Sequence, residues 1–145
     1  MEKQIKTSIQ IDASPETVWK ILTDFNSYPK WNPFIKSLKG KVKVGHQISI
    51  ELPGMKIKPT IQSFKVNEEF SWLGHLWIKG LFDGHHQFKL IKQKDGSTLF
   101  EHNEDFTGVL VKPLLKMVEK DTKKGFEEMN KQLKALAEQG QNITI

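Results

Sequence analysis

Cysteine is absent from this 145-residue chain, which excludes disulfides, thiolate metal sites and thiol nucleophiles together. Arginine is absent too, since the 22 Lys+Arg are all lysine. Bidentate phosphate contacts and base readout favour the planar guanidinium fork. The net charge of +5 and pI near 9.3 therefore do not point to nucleic acid. The lysines are spread along the chain among apolar residues, as on a solvated surface, and imply at most a weak attraction to anionic membranes. No apolar run is long enough to span a bilayer, so no stable membrane insertion is expected. The opening Met1-Glu-Lys-Gln-Ile-Lys6 lacks the apolar stretch of a signal peptide, and the cytoplasm is the expected compartment. No Gly-x-Gly-x-x-Gly, Walker loop or Gly-x-Ser-x-Gly elbow occurs. Neither a nucleotide cofactor nor an elbow-type serine nucleophile is expected, and cofactors are expected to be none.

What is present reads as a single domain over residues 1–145, a length that one core can organise. Ile5, Thr7, Ile9 and Ile11 alternate with polar residues and predict a strand with one buried face. Ser14-Pro15-Glu16 supplies an N-cap, a proline at the first helical position and an early acid, and so starts a helix. Tyr28-Pro29 and Asn32-Pro33 confine Phe25 to Phe34 to a short second helix or an aromatic-rich turn. Six further strands are predicted at Phe34–Lys39, Gln47–Leu52, Met55–Val66, Phe70–Trp77, Leu81–Lys92 and Thr98–Thr107, in antiparallel hairpins. Pro59 implies an edge or a bulge inside the third of these six. From Lys112 to about Gln139, Leu114, Val118, Phe126, Met129, Leu133 and Leu136 keep to one helical face. Gly125 within it has two readings, close helix–sheet packing or room for a ligand. The order predicts an α+β fold, a curved antiparallel sheet closed over a long C-terminal helix.

Lys94-Asp95-Gly96 fits a three-residue hairpin loop with glycine in the left-handed position. That register sets Leu90 opposite Phe100, Phe88 opposite His102, His86 opposite Glu104, and Gly84 opposite Phe106. A two-residue loop would mix the faces. His86 and Glu104 thus become cross-strand neighbours on the face bearing Phe82, Phe88, Phe100 and Phe106, while His85 and Asp105 point outward. Three readings of the pair stay open: a self-satisfied buried pair, the polar anchor of an apolar ligand pocket, or a general acid/base dyad. Metal is not expected, because His85 and His86 face opposite sides of one strand. Trp31, Trp72 and Trp77 are candidates for a cavity wall or for core filling.

Ser14-Pro-Glu-Thr-Val-Trp-Lys-Ile-Leu-Thr-Asp24 and Tyr28-Pro-Lys-Trp-Asn-Pro-Phe34 resemble the opening of the SRPBCC (START/Bet v 1-like) superfamily. Gly80–Phe88, Thr98–Gly108 and Asp121–Asn130 are similar to its polyketide cyclase/dehydrase-like bacterial branch. The resemblance implies a helix-grip fold, with a seven-stranded sheet wrapped around the last helix and a deep cavity between them. Carried over by position, it implies a cavity wall drawn from Trp31, Phe34, Trp72, Phe82, His86, Phe88, His102, Glu104, Phe106, Leu114, Val118 and Phe126. No diagnostic motif of the true cyclases matches. The leading expectation is binding or transport of a hydrophobic small molecule, lipid-like or aromatic, by a monomer or homodimer. The alternatives are a cyclase or dehydratase with His86 and Glu104 as acid and base, and a co-chaperone-like protein-interaction module.

Overall fold

The computed structural model describes residues 2–75, 80 and 82–142 of the chain. Strand β1 (Glu2–Ile11) leads into helix α1 (Pro15–Leu22), a 3-10 turn over Phe25–Ser27 and the one-turn helix α2 (Tyr28–Trp31). Seven more strands follow: β2 (Ser37–Lys39), β3 (Ser49–Leu52), β4 (Met55–Ile57), β5 (Thr60–Lys65), β6 (Glu69–His75), β7 (Asp83–Lys92) and β8 (Thr98–Thr107). Helix α3 (Val111–Asn142) closes the order. The architecture is α+β, an antiparallel sheet gripping a long helix.

Local chemistry accounts for the element boundaries. Ser14 caps α1 by accepting from the Thr17 amide at 3.2 Å, and Pro15 sits where its missing N–H is not needed. Pro113 likewise falls in the first turn of α3, so the helix tolerates it. The 32 residues of α3 make a rod of about 48 Å at 1.5 Å per residue.

Strand pairing corrects one expectation. Among the described residues eight strands form two sheets, ordered β1-β8-β7-β6-β5 and β2-β3-β4, rather than one sheet of seven. The predicted strand Met55–Val66 divides at Lys58-Pro59. Its first part pairs with β3 and its second with β6, because proline cannot donate to a ladder at the crossing point. An isolated bridge, Gln47 with Thr60, and the backbone hydrogen bonds of residues 45–48 with 59–61 link the two sheets there. Trp77 and Leu81, at the ends of two predicted strands, lie outside the described residues.

The hairpin of β7 and β8 has the register expected from its loop, with His86 opposite Glu104 and Phe88 opposite His102. Gly96 holds the left-handed conformation at φ 87°. Burial alternates strictly along β7, with Gly84, His86, Phe88 and Leu90 turned in. The inner face feeds two apolar clusters. The larger gathers Val18, Trp19, Leu22, Phe70, Phe88, Phe100, Met129 and Leu133. The smaller joins Ile5, Phe82, Phe106, Val111, Leu115 and Phe126.

Candidate functional site

A cavity of about 770 Å³ lies between the inner face of the sheet, the small sheet and the first half of α3. That size is typical of small-molecule sites. Its wall is mostly apolar: Phe34, Leu52, Met55, Ile57, Trp72, Phe82, Phe106 and Leu114 contribute, and His86 and Glu104 are its inner polar groups. Met117, Asp121, Lys124 and Glu128 of α3 also line it and are themselves exposed, so the cavity opens to solvent along that helix.

Of the twelve residues expected on the wall, seven line the cavity: Phe34, Trp72, Phe82, His86, Glu104, Phe106 and Leu114. Four are set back from it. Trp31 packs edge-on against Tyr28 at 5.4 Å, at the other end of the core. Phe88, His102 and Phe126 are fully buried in the layer beneath His86. They face inward as expected but do not line the cavity; the His86 ring, which does, packs on them, its centroid 4.9 Å from Phe88, 4.7 Å from His102 and 5.0 Å from Phe126. The Val118 side chain lies outside what the structure describes.

Five side chains form one hydrogen-bonded chain running inward from the cavity. Glu104 Oε1 meets His86 Nδ1 at 3.2 Å. His86 Nε2 meets His102 Nε2 at 2.7 Å. His102 Nδ1 meets Asn130 Oδ1 at 2.9 Å. Asn130 Nδ2 donates to Thr7 Oγ1 at 2.9 Å, and Thr7 Oγ1 donates to the His102 carbonyl at 2.6 Å. The chain therefore ends on backbone, deep in the core. All four ring nitrogens of the two histidines have partners, as burial requires.

The far end fixes the direction of every proton. The Thr7 hydroxyl is committed to a carbonyl, so the Asn130 amide nitrogen donates to it and the amide oxygen turns to His102. An amide oxygen only accepts, so His102 Nδ1 carries a hydrogen. A neutral His102 then accepts at Nε2 from His86 Nε2–H, and a neutral His86 accepts at Nδ1. The remaining donor is the Glu104 carboxyl, as a protonated acid. Moving this proton onto either histidine keeps every hydrogen bond but buries a cation and an anion, which desolvation opposes.

Electrostatics agree with that neutral arrangement. Burial, helped by the nearby Asp105 and opposed by His85, pushes the Glu104 carboxyl up to about 8. Burial, with a smaller contribution from His85, lowers His86 to about 3. His102 is held well below 6.5, first by burial and then by His86, against the Asn130 hydrogen bond. At neutral pH the site is an uncharged acid facing two uncharged imidazoles.

Two glycines make the geometry possible. A Cβ on Gly84 would lie 2.3 Å from Glu104 Oε2, so only glycine there leaves the carboxyl its place. A Cβ on Gly125 would lie 2.8 Å from the Phe34 ring. Gly125 thus serves close packing and also lines the cavity, combining the two readings its sequence position left open. Phe34 itself is placed by the Asn32-Pro33 turn, where Asn32 Oδ1 accepts from the Phe34 and Ile35 amides at 3.0 and 2.8 Å. Its ring is parallel to His86 at 6.0 Å, and Trp72 stacks on His86 at 4.7 Å.

Asn130 and Thr7 were missed as site residues. The signal for Asn130 was available: it lies four residues after Phe126 and three before Leu133, a polar side chain on the buried stripe of a helix. Thr7 had the equivalent signal in the alternation of β1.

Comparison with known proteins is consistent with this geometry. Residues 2–138 match the family model described as polyketide cyclase / dehydrase and lipid transport. A search of curated proteins found no match. Among solved structures, a hypothetical protein from Helicobacter pylori is similar at TM-score 0.79 and 16% identity, over 93% of this chain and 88% of that one. A START superfamily protein from Mycobacterium smegmatis has TM-score 0.68 and 21% identity, over 94% and 97%. A norcoclaurine synthase point mutant from Thalictrum flavum, solved with a transition state analogue, has TM-score 0.73 and 13% identity, over 97% of both chains. At such identities the likeness to solved structures is one of fold. The sequence match along nearly the whole chain decides the rest: this protein belongs to the polyketide cyclase / dehydrase and lipid transport family.

Proposed function

We propose that the protein binds and carries a hydrophobic small molecule, its apolar body against the aromatic wall and one polar group on the Glu104–His86 pair. The observation that carries this reading is a cavity of about 770 Å³ that is apolar except for one buried polar pair and a charged rim. Such a composition holds a ligand by burial and orients it by a single polar contact. Among the described residues no helix is long and apolar enough to cross a membrane, which suits a carrier that moves through the cytoplasm.

The competing reading is catalytic, with Glu104 and His86 as acid and base of a cyclase or dehydratase. A carboxyl held near neutrality in an apolar site supports it. The hydrogen-bonded chain behind the pair favours binding instead. The chain fixes the tautomers of both histidines and ends on the His102 carbonyl, so it holds the pair in one orientation. Its design is that of a fixed anchor.

Native mass spectrometry of the purified protein tests the reading. A bound small molecule is expected to copurify, and His86→Ala is expected to weaken its retention without abolishing it. Failure of any apolar ligand to bind removes the proposal. Turnover of a polyketide that disappears in both His86→Ala and Glu104→Gln would establish the catalytic reading in its place.

A further inference from the structure

The two oxygens of Glu104 are not equivalent. Oε1 is turned to His86. Oε2 lies over Gly84, so close that any side chain there would collide with it, and it has no hydrogen-bond partner among the described residues. It is not sealed either: Glu104 lines the cavity and its side chain is 14% exposed. The pair therefore presents one unused polar atom to the ligand space.

The chemistry of that atom follows from the chain of hydrogen bonds. With the acid proton between Oε1 and His86 Nδ1, Oε2 is left as an acceptor. This holds whether the proton rests on the carboxyl or on the ring. A ligand group that itself only accepts, such as a carboxylate, an ether or a ketone, finds nothing here to bind. A carboxylate meets a further obstacle in the cavity's charges, which are Lys124 at the rim against Asp121 and Glu128 beside it. An ammonium group would find its best partner in an ionised Glu104. Removing the proton, however, leaves the carboxylate and the His86 Nδ1 lone pair facing each other, because Asn130 and Thr7 hold the rest of the chain in one direction.

We propose that the cavity selects an apolar molecule bearing an uncharged hydroxyl, an alcohol or a phenol, whose O–H donates to Oε2 of Glu104 while its body fills the space lined by Phe34, Trp72, Phe82 and Phe106. This rests on the ligand-binding function proposed above and narrows it to a chemical class. The hydroxyl satisfies the oxygen that the Glu104–His86 pair leaves unused, and it leaves every proton of the buried chain where it is. Glu104→Gln preserves this arrangement, since the amide nitrogen can donate to His86 Nδ1 while the amide oxygen takes the place of Oε2.

Isothermal titration calorimetry at pH 7 with matched probes tests the selection. The aromatic series is 4-phenylphenol, 4-methoxybiphenyl, biphenyl-4-carboxylate and biphenyl-4-ylmethylamine. The aliphatic series is farnesol, farnesyl methyl ether and farnesoate. In at least one series the hydroxyl probe is expected to bind about tenfold tighter than its ether, the range of one net hydrogen bond, and tighter than its charged analogues. The series that shows the preference distinguishes a phenol from an alcohol. Glu104→Gln is expected to keep the preference and Glu104→Leu to reduce it below about twofold. If the leucine variant does not fold, the wild-type comparison of hydroxyl with ether decides. An ether binding as tightly as its hydroxyl partner in both series overturns the hydroxyl assignment and leaves the carrier reading standing. A carboxylate or amine that binds tightest overturns it as well. If no probe in either series binds, the carrier reading fails and this inference with it.

Discussion

The two ends of the sheet are built from the same strands and the same helix, yet one is solid and the other hollow. At the solid end Phe88, Leu90 and Phe100 meet Val18, Trp19, Leu22, Phe70, Met129 and Leu133 without a gap that the ligand cavity enters. At the hollow end Gly84, Glu104 and Phe106 face Leu114, Gly125 and open space. The difference lies in what covers the sheet. Helix α1 and the second half of α3 press on one end, whereas at the other the first half of α3 packs through Val111, Leu115 and Phe126 and leaves the cavity open along Leu114, Met117 and Gly125. The Glu104–His86–His102–Asn130–Thr7 chain marks the border, with its free oxygen in the hollow and its last acceptor in the core. Stability is concentrated at one end and ligand chemistry at the other.

The largest expected effect comes from breaking the solid end. Phe70 is fully buried against Trp19, Phe25, Phe64, Trp72 and Phe88, and Phe70→Ala is expected to cost about 3–5 kcal/mol in urea unfolding. Leu114→Ala, at the cavity wall, removes a side chain that already faces open space and is expected to cost about 1 kcal/mol or less. Equal losses at the two sites would dissolve the distinction.

The border chain sets the next effect, a pH dependence with two limbs. The unfolded histidines take up protons near 6.5, whereas folded His86 resists to about 3 and folded His102 also lies well below its ordinary value. Acid therefore favours unfolding below pH 6.5. The unfolded Glu104 carboxyl loses its proton near 4.5 and the folded one keeps it to about 8, so rising pH favours unfolding across that window. Between 4.5 and 6.5 two histidines outweigh one glutamate. Above 6.5 Glu104 acts alone, and the contribution of this cluster to stability peaks near pH 6.5. From there to pH 8 the loss is about 2 kcal/mol, at about 1.4 kcal/mol per pH unit. Denaturant melts across pH are expected to show this alkaline limb in the wild type and to lose it in Glu104→Gln. An unchanged limb in that variant would assign it to another group.

Asn130 sharpens the comparison further, because it is a positioning residue that gives the chain its direction from the solid side. Asn130→Leu frees His102 Nδ1 from its acceptor. It is expected to cost about 1–3 kcal/mol for the donors left unpaired. It also lets the histidine tautomers reverse, so the Glu104 carboxyl is expected to titrate lower than in the wild type. A purely structural asparagine would change the stability and leave that titration where it was. The smallest effect is expected at Gly84. There Gly84→Ala shifts the Glu104 carboxyl and weakens its contact with His86, which is expected to reduce ligand affinity by a few fold and to cost about 1 kcal/mol, the lower end of the range for Asn130→Leu.

The legible and illegible parts of the molecule divide along similar lines. The β7–β8 register could be read because loop chemistry at Lys94-Asp95-Gly96 and strict alternation both specify it, and the pairing of His86 with Glu104 followed from those two facts alone. Alternation reports which face a side chain takes but not how deep it lies. For that reason Phe88, His102 and Phe126 face inward yet stand behind the cavity wall rather than on it, and Trp31 packs elsewhere. The depth depends on where α3 departs from the sheet, a tertiary property with no local signature. The break of one strand into β4 and β5 was signalled by Pro59, but the second sheet that the break creates depends on long-range pairing. Asn130 escaped notice because the helix was read for its apolar stripe, and a polar residue on that stripe was passed over.

The central claim is that Glu104 sits at the border of the hollow as a neutral acid, held so by the chain behind it. Carbon-13 NMR of glutamate-labelled protein, with the Glu104 carboxyl assigned by its absence in Glu104→Gln, measures this directly. The carboxyl is expected to remain protonated through neutral pH and to titrate near 8, as its burial dictates. Titration at the ordinary carboxylate value near 4.5 would show a charged carboxylate and contradict the neutral chain.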